Sequence, residues 1–464
     1  MVDKPKEACG LFGIYAPEED VARFTFFGLF ALQHRGQESA GIATADGQRL
    51  HLRTSMGLVS QAFDEPSLEG LTGHIAIGHT RYSTTGSSRI ANAQPIKVKG
   101  SLGDIAVGHN GNLVNSKQLR DELADQGVEF TGGTDTEVIA QWLAHAPGKT
   151  WSEKIKYCMN RFQGAYSLVV LTSEGLIGVR DPLGVRPLAL GRLNGGWVLA
   201  SESCALDHIG SEVVREVEPG EAVIIDGSGL ESFQLQSVDG QALCIFEHIY
   251  FARPDSVFGG KLLHLARQRM GAQLAREYPV EADMVIGVPD SAVAAAIGYS
   301  RESGILLGEG ILKNRYVGRT FIEPDQRIRE IGVRLKFNAM SEVLKDRRMV
   351  VVDDSIVRGT TTPHVVSLLR KAGAKEVHMR ICAPPIRYPC FFGVDFATRR
   401  ELIASQNSVE NICKFIGADS LGYLSVEGLI KAVGLPENKV CTACFTGKYP
   451  IPVQLEMDKL ALEL

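Results

Sequence analysis

The spacing of hydrophobic residues divides the chain into two parts. Up to about residue 240, short apolar stretches are separated by glycines, and two of them, HIAIGHTRYSTTG from 74 and DIAVGHNGNLVN from 104, end in polar residues. Neighbouring strands of this kind predict a mostly antiparallel sheet. An amphipathic helix around 136–144 is predicted to pack on that sheet.

The pattern changes after this point. Apolar stretches near 284–288, 350–352 and 377–381 alternate with helical patterns, and this order is typical of βα units in a parallel sheet. The turn-rich segment 227–240 lies between the two patterns. We therefore expect two domains that meet near residue 240.

The composition excludes several classes of protein. The 464 residues are too many for one hydrophobic core, and an apolar fraction of 44% with 22% charged residues is ordinary for a globular protein. A formal charge of -5 without a run of Lys or Arg gives no basic surface for nucleic acid or a membrane. The sequence contains no apolar stretch of membrane-spanning length, and MVDKPKEA lacks the features of a signal peptide. We expect a cytoplasmic protein.

The segment VVVDDSIVRGTT at 350–361 carries the most informative chemistry. Its apolar residues predict a buried parallel strand, from whose carboxyl end Asp353 and Asp354 emerge. The following turn offers hydroxyls and closely spaced backbone N–H groups around Gly359, and a helix that we expect Thr362 to cap follows at once, which suits a phosphate. Asp side chains alone would repel a phosphate, so two adjacent acids are expected here if they bind ribose hydroxyls and a divalent cation. The alternative is an ordinary strand-to-helix turn with a capping Asp.

The whole segment resembles the loop of type I phosphoribosyltransferases that binds phosphoribosylpyrophosphate (PRPP). The resemblance implies an α/β domain whose PRPP site is formed by Asp353, Asp354, Ser355, Ile356, Val357, Arg358, Gly359, Thr360 and Thr361. In that family the segment VPDSAVAAAIGY at 288–299 lies near the pyrophosphate, so Ser291 is expected to join Asp353 and Asp354 around magnesium. The alternative for Ser291 is to cap a buried Ala-rich helix.

Cys9 begins the apolar segment CGLFGIYA, and the eight residues before it look removable. Cleavage after Ala8 would give Cys9 a free α-amine with a reference pKa of about 7.7 to 8.0. Such an amine can act as general base for the thiol of the same residue, which is the arrangement of an N-terminal nucleophile. The alternative is that Cys9 is a small buried hydrophobic residue.

Five segments in order, CGLFGI, LQHRGQESAGI, GHTRYSTTG, HNGNL and GGTDTE, resemble the glutaminase domain of class II glutamine amidotransferases. By its charge, Arg81 suits the α-carboxylate of glutamine and Asp135 suits its α-ammonium. The Asn110 side chain and the Gly111 backbone N–H are the donors expected at an oxyanion hole. Arg35 is expected to shape the pocket without contacting the amide.

The segment KNRYVGRTFIEPDQRIR at 313–329 is strongly basic and contains turn residues. A run of charge of this kind is often only a solvated surface. The segment is also similar to the flexible loop that closes over PRPP in amidotransferases, and this similarity implies that Lys313, Arg319 and Arg329 screen the pyrophosphate.

Nine widely scattered cysteines make a disulfide framework unlikely in the cytosol. Cys441 and Cys444 form a C-x-x-C pair, and Cys244 and Cys390 lie where the iron-sulfur type of PRPP amidotransferase carries cluster ligands. Four thiolates suit a 4Fe-4S cluster, and they equally suit structural zinc. We expect a structural or oxygen-sensitive role for this site.

Nearly the whole chain therefore resembles the glutamine PRPP amidotransferase family, in its form with a propeptide and an iron-sulfur cluster. The resemblance implies a propeptide at 1–8, an α+β N-terminal nucleophile hydrolase domain of αββα layers at 9–240, and an α/β phosphoribosyltransferase domain at 241–464. Its implied activity is hydrolysis of glutamine at Cys9 and transfer of the ammonia, through an internal channel, to PRPP. The product would be 5-phosphoribosylamine, the first committed intermediate of purine synthesis. Inhibition by purine nucleotides and a homotetramer are also expected.

Two alternatives differ in class from this interpretation. An amidotransferase of the glucosamine 6-phosphate synthase type shares the first half, but it would need sugar-isomerase domains in place of the 350–361 loop. A regulator that binds PRPP without catalysis would reuse the second half. The intact glutamine pocket around Cys9 argues against such a regulator, and PRPP-dependent glutaminase activity would separate the two.

Overall fold

The structure, a computed structural model, describes residues 9–82, 85–314, 337–396, 398–453 and 461–463. The strands of its amino-terminal part are β1 (Gly10–Tyr15), β2 (Ser39–Ala45), β3 (Leu50–Met56), β4 (Ile75–Arg81), β5 (Ile96–Gly100), β6 (Gly103–Leu113), β7 (Gly164–Leu171), β8 (Leu176–Arg180), β9 (Ala189–Leu193), β10 (Gly196–Ala200), β11 (Glu212–Glu216), β12 (Glu221–Asp226) and β13 (Gly229–Gln234). The helices are α1 (Val21–Ala31), α2 (Val59–Ala62), α3 (Glu65–Glu69), α4 (Ser116–Ala124), α5 (Asp135–His145), α6 (Trp151–Met159) and α7 (Ser203–His208). The predicted helix around 136–144 is thus confirmed as α5.

These strands form two antiparallel sheets within the described residues. The first has the order β11-β9-β10-β1-β4-β2-β3, and the second has the order β13-β12-β8-β7-β6-β5. Successive side chains of a strand point to opposite faces. In β1, Leu11 accordingly packs between the two sheets, whereas Phe12 packs against α1 on the outer face. Helices α4, α5 and α6 cover the other sheet, so the predicted αββα sandwich is confirmed.

The carboxyl-terminal part contains short strands, a parallel sheet and helices. Its strands are β14 (Leu243–Cys244), β15 (Val257–Phe258), β16 (Lys261–Leu262), β17 (Met284–Gly287), β18 (Ile311–Lys313), β19 (Phe337–Ala339), β20 (Arg348–Asp353), β21 (Glu376–Ile381), β22 (Ser420–Tyr423) and β23 (Val440–Cys441). Its α-helices are α8 (Leu263–Glu277), α9 (Val293–Ser303), α10 (Ser341–Leu344), α11 (Thr362–Lys371), α12 (Ile403–Gln406), α13 (Val409–Ile416), α14 (Val426–Val433) and α15 (Ala443–Thr446).

Strands β17, β20, β21 and β22 are neighbours in that order, and every pair is parallel. In β20, Val350 lies between β17 and β21 and is fully buried. The apolar run was therefore interpreted correctly as a central parallel strand, and the predicted α/β domain is confirmed. None of the described helices combines the length and the apolar character needed to cross a membrane.

Candidate active sites

Cys9 lies immediately before β1 and beside the end of β4. Gly10 pairs with Thr80 across these strands, and the Cys9 Sγ donates a hydrogen bond to the Tyr82 carbonyl oxygen at 3.5 Å. Cys9 is only 7% exposed, and burial raises the pKa of its thiol. The thiolate is the attacking species, and the raised pKa keeps the thiol protonated, so a general base is needed to remove its proton.

Asn110 and Gly111 lie within β6, opposite β7. Gly111 has φ of +147°, and a Cβ there would lie 2.0 Å from the Ala165 carbonyl oxygen, so glycine is required. Asn110 is 1% exposed, and its Nδ2 has no hydrogen-bond partner within the described part of the chain. A buried donor without a partner is costly unless a ligand accepts from it. Its environment therefore fits the predicted oxyanion hole.

Arg81 and Asp135 are both buried and both help to line one cavity with Cys9 and Gly111. Arg81 donates from Nη1 to the Ser87 carbonyl oxygen at 3.2 Å and from Nη2 to that of Thr85 at 3.0 Å. Burial lowers the pKa of Arg81, and neighbouring carboxylates oppose this effect. An incoming carboxylate would therefore meet a guanidinium that is largely shielded from water.

Asp135 is the first residue of α5, after the helix cap Thr134. Its Oδ2 accepts from the Leu113 backbone N–H at 3.1 Å and lies 3.6 Å from the His109 Nδ1. The predicted glutamine-binding residues Arg81 and Asp135 are thus brought together with Cys9, although they are far apart in sequence.

Arg35 joins the backbone of Cys9 to two buried carboxylates. Its Nε donates to the Cys9 carbonyl oxygen at 3.0 Å, and its Nη1 and Nη2 donate to Glu202 at 2.5 Å and to Glu247 at 2.8 Å. Burial raises the pKa of Glu247, but Arg35 and then Arg186 outweigh that effect, so the net pKa is lowered. Arg35 therefore holds the backbone at Cys9, in keeping with the expectation that it shapes the pocket.

Arg186 extends this buried network towards the second domain. Its Nη1 donates to Glu247 at 3.1 Å, and its Nε and Nη2 donate to the Phe392 carbonyl oxygen at 3.1 and 2.9 Å. The side chains of Arg35, Arg186, Glu202 and Glu247 are all completely buried. Sequence analysis did not identify this network, because charged residues separated by up to 212 positions give no local pattern.

Replacing Glu247 by glutamine is expected to lower the free energy of unfolding by about 3 to 5 kcal/mol, because Arg35 and Arg186 would lose a buried counter-charge that they share. Equilibrium denaturation of the folded protein measures this change. The matched control is Glu302→Gln, which removes the partly exposed pair with Arg276 and should cost about 0 to 1 kcal/mol. Since the Glu247 pKa is lowered, its contribution should be present at neutral pH and lost on acidification below about pH 4. Equal losses in the two variants would contradict this account of the network.

Asp353 and Asp354 lie at the carboxyl end of β20, and both are almost fully buried. Asp354 accepts hydrogen bonds from the hydroxyls of Ser291 and, at 2.7 Å, Ser355. Asp353 Oδ1 accepts from the Asp354 backbone N–H at 2.9 Å. Ser291, which the sequence placed near this edge of the sheet, is therefore in direct contact with Asp354.

The remainder of the 350–361 segment forms a turn that leads into α11. Gly359 has φ of +72°, and a Cβ there would lie 2.6 Å from the Ile403 side chain. The helix cap is Thr361, one residue before the predicted Thr362, and its side chain makes no capping hydrogen bond. The predicted cap was therefore wrong by one residue, because Thr362 is already the first residue of α11. Arg358 binds Glu401 and donates to the Asp395 carbonyl oxygen at 3.2 Å.

Lys313 is at the end of β18, where its Nζ donates to the Asp290 carboxylate. Asp290 is the residue before Ser291, so Lys313 lies close to the predicted PRPP site. Arg319 and Arg329 of the predicted flexible loop, and the predicted propeptide 1–8, lie outside the described residues.

The four predicted cluster cysteines converge at one place. Cys244 and Cys441 pair across the parallel strands β14 and β23, and the Cys444 carbonyl oxygen accepts from the backbone of Arg387, three residues before Cys390. Burial raises the pKa of the Cys444 thiol, and the nearby Cys441, Cys390 and Cys244 raise it further. Within the described ranges, no group of three or more His, Cys, Asp or Glu side chains is arranged to hold a metal ion.

Two family profiles match separate parts of the chain. Residues 79–208 match a profile described as a glutamine amidotransferase domain, and residues 260–384 match one described as a phosphoribosyl transferase domain. The second match contradicts the alternative that sugar-isomerase domains follow the glutaminase half. Fold and sites therefore define a glutamine amidotransferase joined to a phosphoribosyltransferase.

Curated relatives cover nearly the whole chain. Proteins named amidophosphoribosyltransferase are 52% identical in Synechococcus elongatus and 54% identical in Synechocystis, and each match covers 99% of this chain and 95% of the relative. The protein of that name from Methanocaldococcus jannaschii is 50% identical, with 97% of this chain and 98% of the relative covered. The chain belongs to the amidophosphoribosyltransferase family.

A solved structure of similar shape is the glutamine PRPP amidotransferase of Bacillus subtilis in complex with ADP and GMP. It is 46% identical, has a TM-score of 0.92, and the match covers 98% of this chain and 100% of that chain. A second, described as the allosteric regulatory enzyme of purine biosynthesis, is 45% identical with a TM-score of 0.93 and covers 98% of this chain and 99% of that chain. The protein is thus an enzyme that is both a glutamine amidotransferase and a pentosyltransferase, and it makes 5-phosphoribosylamine for purine synthesis.

Proposed function

We propose that Cys9 is the nucleophile of glutamine hydrolysis, acting after removal of residues 1–8. The observation that carries this proposal is the single cavity that Cys9 lines together with Arg81, Gly111 and Asp135. The α-amine of the processed chain would remove the thiol proton, because burial opposes spontaneous ionisation. The thiolate then attacks the amide carbon, a glutamyl thioester forms, ammonia leaves, and water releases glutamate.

Arg81 and Asp135 would fix the two charged groups at the other end of glutamine. Asn110 Nδ2 and the Gly111 N–H would donate to the oxyanion as it forms. Support comes from the Asn110 amide, which is buried without a partner among the described residues. Such donors stabilise the transition state without reorganising when the charge develops.

The second site would be the PRPP loop, Asp353 to Thr361, where ammonia displaces pyrophosphate from C1 of the ribose. Asp353, Asp354 and Ser291 fit a magnesium site by chemistry, since hydroxyl and carboxylate oxygens are the ligands that this ion prefers. Magnesium bound there would neutralise charge on the leaving pyrophosphate. The acidic pair would orient the ribose hydroxyls, and the turn before α11 would hold the 5-phosphate. Lys313, Arg319 and Arg329 would screen the pyrophosphate.

Replacing Asp354 by asparagine is expected to lower 5-phosphoribosylamine synthesis about 10- to 100-fold with either glutamine or ammonia as nitrogen donor, because the variant keeps the shape and loses the charge. Initial rates at varied PRPP and magnesium concentrations measure the loss. Asp346→Asn is the control, since Asp346 is exposed in the same domain with φ of +61°, a conformation that asparagine tolerates. An Asp354 variant that is impaired only with glutamine would contradict this placement of the site.

The domain limits that we propose are 9–240 for the glutaminase and 241–464 for the phosphoribosyltransferase. Ammonia would pass between them through an internal channel, as the two sites act in series. Asp395 contacts both sites, because its carboxylate accepts from Tyr82 Oη at 3.3 Å and its carbonyl oxygen accepts from Arg358. The test is PRPP-dependent release of glutamate: a protein that binds PRPP without hydrolysing glutamine would contradict the proposal.

We also propose that a 4Fe-4S cluster is bound by Cys244, Cys390, Cys441 and Cys444. The donor set fits, since the four cysteines lie close together and deprotonated thiolates are the ligands of such clusters. The bound cluster would join β14, β23 and the segment around Cys390 as a structural element.

Intact mass after denaturation, with iron and acid-labile sulfide on the anaerobically purified protein, tests the propeptide and the cluster together. A chain that starts at Cys9 and carries about four irons per subunit is the expected result. An uncut chain without iron would contradict both the nucleophile and the cluster assignments.

Regulation and assembly complete the proposal. The ADP and GMP complex of the Bacillus subtilis enzyme supports inhibition of this chain by purine nucleotides. A homotetramer is proposed from the family resemblance. Sedimentation of the purified protein tests the tetramer, and initial rates with and without ADP and GMP test the inhibition. A monomer would contradict the first statement, and a rate that neither nucleotide lowers would contradict the second.

A further inference from the structure

Residues 461–463 lie against the glutaminase domain, although they come after the phosphoribosyltransferase domain in the chain. Leu462 is 3% exposed and belongs to the core between α4, α5, α6 and their sheet. The sequence after Cys444 contains no motif, so this contact is visible only in the structure. Leu462 thereby fixes the position of the next residue, Glu463, at the edge of the glutamine cavity.

The carboxylate of Glu463 makes a compact set of contacts with the segment that follows β4. Its Oε1 accepts from the Ser87 backbone N–H and from the Ser87 hydroxyl, both at 2.6 Å, and from Asn92 Nδ2 at 3.1 Å. Arg89 Nε lies 3.8 Å from the same oxygen. Hydrogen bonds from Ser87 lower the pKa of Glu463, so the group is ionised at neutral pH.

Both partners of Glu463 lead to proposed glutamine-binding residues. The Ser87 carbonyl oxygen accepts from Arg81 Nη1 at 3.2 Å. Asn92 Oδ1 accepts from the Gly133 backbone N–H at 3.0 Å, two residues before Asp135. A Cβ on Gly133 would lie 2.3 Å from the Cγ of Glu463, so the close approach of this side chain depends on glycine. Through Ser87 and Asn92, the Glu463 carboxylate therefore links the residues that contact Arg81 to the segment that precedes Asp135.

We propose that Glu463 is a positioning residue for glutamine, which fixes Ser87 and Asn92 so that Arg81 and Asp135 keep the spacing that the amino-acid end of glutamine requires. This inference rests on the proposed glutamine site. It gives the last described segment of the phosphoribosyltransferase part a direct role in substrate binding by the other domain. Glu463 touches no reacting atom, so its effect falls on glutamine affinity.

The test compares Glu463→Ala with Glu463→Gln in the full-length enzyme. Glu463→Ala should raise KM for glutamine about tenfold, as expected for loss of charged hydrogen bonds, with little change in kcat. Glu463→Gln keeps an acceptor oxygen and should recover part of the affinity. KM for PRPP and the ammonia-dependent rate should stay unchanged in both variants. Glu231→Gln, at an exposed position on β13, is the control and should leave all of these values unchanged.

The inference is overturned if Glu463→Ala leaves KM for glutamine unchanged, or if it lowers the ammonia-dependent rate equally, which would indicate general loss of structure. Arg81→Lys is measured in parallel to separate this inference from the proposal on which it depends. A raised KM in Arg81→Lys with no effect in Glu463→Ala would refute only the role of Glu463. An unchanged KM in both would refute the glutamine site itself.

Discussion

Replacement of Cys9 by alanine abolishes glutamine-dependent synthesis, with an expected loss of about 10⁴-fold or more, while ammonia-dependent synthesis continues. Alanine has no group that can form a thioester with glutamine. Added ammonia needs only the PRPP site, where Asp353 and Asp354 lie at the end of β20, in a different sheet from β1, the strand that follows Cys9. Initial rates of 5-phosphoribosylamine formation with each nitrogen donor measure the two activities in one preparation.

Cys158→Ala is the matched control for this experiment. Cys158 is a buried cysteine of helix α6, and its replacement should leave both activities intact. Loss of both activities in folded Cys9→Ala protein would contradict the separation of the two sites. Retention of glutamine use would contradict the assignment of the nucleophile.

Replacement of Asn110 by alanine should lower kcat for glutamine hydrolysis about 10²- to 10³-fold, which corresponds to about 3 to 4 kcal/mol of transition-state stabilisation. KM for glutamine should change little, because the oxyanion exists only after attack by the thiolate. The reason lies in the geometry of β6, which buries the Asn110 Nδ2 without a protein partner among the described residues. Steady-state glutaminase assays at saturating PRPP separate kcat from KM.

The control for Asn110 is Asn160→Ala, at the exposed end of α6, which should leave both constants unchanged. Ammonia-dependent synthesis should also be unchanged in the Asn110 variant. A variant that loses affinity for glutamine and keeps its kcat would show that Asn110 binds the ground state, contrary to its proposed role at the oxyanion.

Local patterns were sufficient to predict much of the fold. The apolar run at 350–352 identified a central parallel strand, because such strands are buried on both faces. Helix α5 followed from its periodicity, and Asp135 at its start was identified from the GGTDTE segment, which resembles the glutaminase family. The PRPP loop and the five glutaminase segments are continuous in sequence, so their chemistry could be interpreted before their positions were known.

Contacts between distant residues could not be predicted in this way. The pairing of Arg35 with Glu247 joins residues that are 212 positions apart, and each would ordinarily be expected in solvent. Glu463 gave no indication of its contact with Ser87, because the two are 376 positions apart. These interactions are set by how the domains pack, which no local pattern encodes.

We propose that the amide nitrogen released at Cys9 reaches PRPP inside the protein. The most direct measurement supplies glutamine with an isotopically labelled amide nitrogen together with excess unlabelled ammonium, and determines the label in trapped 5-phosphoribosylamine. Transfer within the protein predicts a product that is mostly labelled at ammonium concentrations too low for direct reaction at the PRPP site. A labelled fraction that follows the composition of the solution from the start would contradict the claim.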